Sequence, residues 1–382
     1  MYLGPRPKRR RWPWLLLLGA VVGGLMLVRG GPGVLRGLPF ADRLLPLMGQ
    51  ESQLGPRGVA PESDAEHVAA GDELFQEGKL DEAMAEYQRA TELNPQNAAA
   101  YARWGRLLAL RRRYAEGVEK AQRAVQLDPA SAEAYANLAM TLDWNGQADE
   151  AIQAALKAMD LDPDYAPAYA YLAEAYADKG YWDRALETAH KAVQLDEGSF
   201  VAQRNLGYAL EVRGDYRGAV EAYQRAIELR PNLGYLYLDL GRNYRVLGDR
   251  EGAVVQFQQA TEIDPQDPAA YDNLGLIYFD QQNYEEAAAQ FQKAIEVDPG
   301  YGHAYGHLGW CYYVRRNYEE AIPSFEKAIE LGARSIEYYY ELGLSYAFLD
   351  QCDQARPWLE KALQIDATSQ PAQEGLQLCE GR

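Results

Sequence analysis

The 382-residue sequence holds little with which to do covalent chemistry, with only three cysteines and four histidines. Three Cys do not define a disulfide framework. No Gly-rich phosphate loop, His-Glu-x-x-His pair or Gly-x-Ser-x-Gly elbow is present, which removes the usual footing for nucleotide, zinc-protease and hydrolase chemistry. We therefore expect no catalysis, no cofactor and no small-molecule substrate. Basic residues are also scarce. Nine stand against 3 acidic residues before Asp64 and 29 against 53 from Asp64 onward, so a +6 leader precedes a −24 remainder. Such an excess repels nucleic acid and anionic membrane surfaces, so no nucleic-acid partner is expected.

One long apolar run is present. The leader 1–11 contains Arg6, Lys8, Arg9, Arg10 and Arg11, and the uncharged run WPWLLLLGAVVGGLMLV follows at 12–28. Seventeen residues at about 1.5 Å each lie at the short end of what spans a bilayer, and Trp12 and Trp14 suit its interface. A cleavable secretory signal shares these features, yet no small-x-small pattern follows. The expectation is a transmembrane signal anchor over 12–28, with a cleaved signal as the alternative. Basic residues are denser before the run than after it, which favours a cytoplasmic N-terminus and an extracytoplasmic remainder. Residues 29–63 are rich in Gly and Pro and read as a tether.

From Asp64 the chain repeats every thirty-four residues. In PAAYDNLGLIYFDQQNYEEAAAQFQKAIEVDPGY, which begins at Pro268, Tyr271, Leu274, Gly275 and Tyr278 form one helical stripe. Ala287, Phe291 and Ala294 form a second after a polar break at Gln281–Asn283, and Pro299 closes the unit. Units begin at Asp64, Ala98, Ala132, Ala166, Phe200, Gly234, Pro268, Gly302 and Ile336 without insertion. Each reads as a helical hairpin that buries its stripes only by stacking on its neighbours. Gly78, Gly146, Gly180, Gly214 and Gly248 stand just past first helices, where a left-handed residue ends a helix cheaply. Asn283 with Glu286, and Asn317 with Glu320, read as capping-box pairs opening second helices. The closing Pro is replaced by Glu197, Ala333 and Ala367 in three units.

This pattern resembles the tetratricopeptide repeat family. It implies an all-α, right-handed superhelical solenoid of about nine units over 64–369, with 370–382 as a capping helix and tail. The resemblance further implies a concave face, lined by first helices, that binds extended peptides or partner proteins. By analogy, the second, fifth, sixth, ninth, twelfth and thirteenth positions line it. Asn137, Asn205 and Asn273 then resemble the asparagine ladder of the O-linked N-acetylglucosamine transferase repeats, able to hold a peptide backbone. Arg204, Arg242 and Arg245, beside Tyr208 and Asp239, form a basic patch suited to a ligand carboxylate. Phe279, His307, Trp310, Tyr313, Tyr340 and Phe348 make the C-terminal groove aromatic, the usual composition of a binding hot spot.

The alternatives are a cytosol-facing adaptor, self-association through the array ends, and a metal site. His303, His307 and Cys311 are spaced four apart on one helix and offer zinc-ligating types, although Cys311 falls where the repeat wants a small buried residue. Cys352 and Cys379 fall at one edge of the stack, either bridged or, as the expected state, as two buried thiols.

Overall fold

The computed structural model describes residues 63–380. The expected anchor at 12–28 and the expected tether at 29–63, save its last residue, Ser63, lie outside the described residues. Among those described, no helix is long and apolar enough to cross a membrane. Unit 1 pairs α1 (Asp64–Gln76) with α2 (Leu80–Leu93), unit 2 α3 (Ala98–Leu110) with α4 (Tyr114–Leu127), and unit 3 α5 (Ala132–Trp144) with α6 (Ala148–Leu161). Next come α7 (Ala166–Asp178) with α8 (Trp182–Leu195), α9 (Phe200–Val212) with α10 (Tyr216–Leu229), and α11 (Gly234–Val246) with α12 (Arg250–Ile263). The last three units are α13 (Pro268–Asp280) with α14 (Tyr284–Val297), α15 (Gly302–Val314) with α16 (Tyr318–Glu330), and α17 (Ile336–Phe348) with α18 (Cys352–Ile365). A closing α19 (Gln370–Glu380) follows.

In units 1 and 5–8 a ring of the second helix lies on a glycine of the first. A methyl added at Gly241 would stand 2.5 Å from Phe257, and one at Gly275 2.6 Å from Phe291. Where the second helix carries Ala155 or Ala189 instead of a ring, the first helix carries Ala139 or Ala173, all fully buried. These crossings are thus made by two small residues in place of a ring on glycine. The expected turn glycines adopt positive φ, and Arg112, Gln282, Arg316 and Asp350 take that conformation in the units that lack one.

The capping expectation needs correction. Neither Asn283 nor Asn317 makes a side-chain cap bond. Second helices are capped by Asp215 and Asp249, whose carboxylates accept from the N–H of Gly218 and Gly252. A Cβ at either glycine would lie within 2.7 Å of that carboxylate.

The early units curl until they meet the later ones. Phe75 of α1 packs on Phe200 of α9, ring centroids 6.4 Å apart. Leu80, Tyr87 and Leu107 share one apolar cluster with Leu233 and Leu236. The Gly78 turn sits against the Asn232 carbonyl, where an added methyl would come within 1.9 Å. Arg111 forks onto Asp81 and reaches Asp264 at 2.6 Å, while Arg112 donates to Asp267 at 3.1 Å and lies over the Tyr301 ring. The array therefore closes on itself through both apolar and ionic contacts.

At the other end, α19 covers Ala347, Leu359 and Ala362 of unit 9. Cys352 and Cys379 are joined by a disulfide with a Cα–Cα distance of 5.4 Å. This corrects the expectation of two free thiols: capping by α19 brings position 379 back beside the start of α18.

Candidate functional site: the inner face of the array

Closure spends much of the inner face on the protein itself. The expected asparagine ladder is buried, with Asn137, Asn205 and Asn273 at 3%, 0% and 8% exposure. The Asn137 and Asn273 amides donate to the carbonyls of Glu133 and Ala269, one turn back on their own helices. Asn205 Oδ1 accepts from Arg204. No ladder of free amides faces the groove.

The basic patch is likewise matched internally. Arg204 donates to Glu174 and, at 3.0 Å, to Asp239, and Arg242 reaches the same Asp239. Arg245 stands 3.7 Å from Asp280, and the Tyr208 hydroxyl donates to Asp178. Burial opposes charge on Arg204, but Glu174 and Asp239 more than offset it and hold the guanidinium protonated. Beside them, Asp143 is 4% exposed and neither of its oxygens has a partner. Burial first, then the carboxylates of Glu174 and Asp178, push it well above the ordinary range, with Arg204 acting against them. At the centre remains a cavity of about 200 Å³ bounded by Arg112, Trp144, Arg204, Tyr235, Arg242 and Tyr301.

Units 7–9 differ. Phe279 packs on Tyr284 at 5.3 Å and on Trp310 at 6.0 Å. Tyr313 meets Tyr318 at 5.7 Å, and Tyr318 stacks on Phe348 at 4.9 Å. Phe348 and Val314 remain 41% and 42% exposed, while Trp310, Tyr313 and Tyr340 are half-buried. Tyr284 and Tyr318 escaped the sequence reading because the lining rule draws on first helices alone. The signal was the recurrent Asn-Tyr-Glu-Glu-Ala at 283–287 and 317–321.

The His-His-Cys face does not form. His307 Nδ1 is 2.6 Å from Asp272 Oδ1, and Cys311 is fully buried in a cluster with Phe291 and Ala294. Burial pushes the Cys311 thiol up to about 12. Burial, and then the His307 charge, lowers the pKa of His303. No group of three potential metal ligands occurs among the described residues. At this spacing the thiol points into the hairpin core while the imidazoles lie on the inner side.

Comparison with known proteins places these features in a family. Tetratricopeptide repeat models match residues 120–153, 201–233, 273–336 and 336–369, and a TPR repeat model matches 71–110 and 241–282. No curated protein matches. Among solved structures, a chain of the APC/C hetero-tetramer Cut9-Hcn1 is similar at 19% identity and a TM-score of 0.64, over 78% of this chain. This chain spans 59% of that one's length. The human IFIT1 dimer with PPP-AAAA is similar at 20% identity and a TM-score of 0.52, covering 85% of this chain and 77% of that one. At such identities the structural likeness speaks to fold alone, and it agrees with the family models and the hairpin geometry. The chain belongs to the tetratricopeptide repeat family.

Proposed function

We propose that this protein is a membrane-tethered scaffold that binds an extended peptide or partner protein on the inner face of units 7–9, outside the cytoplasm. The observation carrying the reading is the contrast along that face. Asn137, Arg204 and Arg242 of units 3–6 are held by internal partners, whereas Phe348 and Val314 stay exposed beside Tyr313 and Tyr318. Aromatic groups left exposed in this way supply contact area at low entropic cost. The tether rests on the apolar run at 12–28. The Cys352–Cys379 bridge supports the orientation, since such bonds persist in oxidising compartments.

Two experiments test these parts separately. A photo-crosslinking residue at Phe348 is expected to form adducts in cells, and one at Val255, on a second helix, is not; equal labelling at both refutes the site. A Cys at Ser52 reports topology. Cys311 is buried and the other two are bridged, so an impermeant maleimide reaches position 52 alone. Labelling in intact cells supports the orientation, and labelling only after lysis reverses it.

A further inference from the structure

The cavity of about 200 Å³ at the centre of the array is walled by residues far apart in the chain. Arg112 comes from unit 2, Trp144 from unit 3, Tyr235 and Arg242 from unit 6, and Asp267 and Tyr301 from the turns flanking unit 7. It therefore exists only while unit 2 stays closed on the later units. Internal pairing leaves two of its guanidiniums with donors to spare. A guanidinium can donate several N–H bonds at once, yet Arg112 gives a single one to Asp267 and Arg242 a single one to Asp239, with no further hydrogen bond from either among the described residues. Their side chains keep 33% and 40% of their surface, and none of their nitrogens is both buried and unpartnered, so the unused N–H groups are open to a ligand. The carboxylates of the wall are more fully engaged: Asp239 accepts a guanidinium on each oxygen, and Asp267 Oδ1 accepts from Arg112 and from the Ala269 N–H. What the cavity lacks is an acceptor.

We infer that this cavity binds a small aromatic carboxylate, a ligand that is held and not turned over, at a site separate from the groove of units 7–9. Its acid group takes the spare N–H groups of Arg112 and Arg242, and its ring lies among Trp144, Tyr235 and Tyr301. A carboxylate offers two acceptor oxygens to planar guanidinium forks, and such charge-assisted bonds are about twice as strong as neutral ones. Charge limits the ligand as well. Arg112, Arg204 and Arg242 are balanced by Asp239, Asp267 and Glu174, and the residues from Asp64 onward carry −24, a field that disfavours polyanions more than a monoacid. Size limits it further: the cavity lies below the roughly 300–1,000 Å³ of drug-sized sites, which leaves room for a single ring and a short acid chain. Because Arg112 belongs to the half that closes and Arg242 to the half it closes on, the ligand binds the closed array and stabilises it by linkage.

The test uses calorimetry on the full-length protein with 3-phenylpropionate, its uncharged counterpart 3-phenylpropionamide, and inorganic phosphate. The acid is expected to bind at least about ten-fold more tightly than the amide, and phosphate, which has no ring, more weakly than the acid. Arg242→Gln leaves Asp239 its bond from Arg204; with folding checked by thermal unfolding, it should weaken the acid about ten-fold and leave the amide unchanged. A second measurement needs no change in the site. In urea just sufficient to broaden the distance between nitroxides on Glu77→Cys and Asn232→Cys, the acid should restore a narrow, short distance and the amide should not. Equal affinity for acid and amide, an affinity that survives Arg242→Gln, or no binding of the acid overturns the inference. Phosphate binding as tightly as the acid overturns it in favour of a plain anion site, and tighter binding of acetyl-Ala-Ala-Phe with a free carboxylate overturns it in favour of a chain terminus.

Discussion

Replacing Glu341 by Gln keeps the shape of the side chain and removes its proton. In the folded protein this carboxyl is raised from an ordinary value of 4.5 to about 8. Below pH 4.5 it is protonated whether the chain is folded or not, and it contributes nothing. Between 4.5 and 8 the unfolded chain releases the proton and the folded chain keeps it, so the free energy of unfolding falls as pH rises. Above 8 the loss is complete. At about 1.36 kcal/mol per pKa unit, the full penalty is on the order of 5 kcal/mol. Urea titrations of wild type and Glu341→Gln at pH 5 and pH 8.5 read it directly, because every other titrating group is common to both proteins. With a slope of roughly 3 kcal/mol per molar, the midpoint advantage of the variant should grow by on the order of 1.5 M between the two pH values. Midpoints that move in parallel would refute the argument.

Much of the fold was legible because its determinants are local. The thirty-four-residue register, the turn glycines and the pairing of Gly241 with Phe257 each follow from residues within one hairpin. Array closure was not legible. Arg111 and Asp264 lie 153 residues apart, and Arg112 and Asp267 lie 155 apart. Whether they meet depends on a small rotation accumulated over several units, which no single unit encodes. The inner face was misread for a related reason: positions 137, 205 and 273 hold Asn, but all three are buried, with Asn137 and Asn273 donating to carbonyls of their own helices and Asn205 accepting from Arg204. The aromatic end was legible from composition.

Further consequences bear on closure and capping. Gly78→Ala and Gly214→Ala both place a side chain at positive φ, at about 1 kcal/mol each. An alanine methyl at 78 also meets the Asn232 carbonyl, while one at 214 meets nothing within 4 Å. Gly78→Ala is therefore expected to lower the unfolding free energy read from urea titration by an additional ~1–3 kcal/mol; equal effects would count against closure. Cys352→Ser opens a bridge between residues 27 apart in sequence, which should cost roughly 3–4 kcal/mol and raise hydrogen exchange in α19, leaving α1 unchanged. Arg204→Met leaves Glu174 and Asp239 buried without their shared cation, and a loss of about 3–5 kcal/mol in denaturant titration is expected.

The claim on which the rest depends is that units 1 and 2 pack against units 5 to 7, so that the early inner face is already occupied. Nitroxide labels on Glu77→Cys and Asn232→Cys test it, since both positions are exposed and flank the Gly78–Asn232 contact. Double electron–electron resonance should return one narrow, short distance. A long or broad distribution would mean an open superhelix, and Asn137, Asn205, Arg204 and Arg242 would then return as candidates for holding an extended peptide.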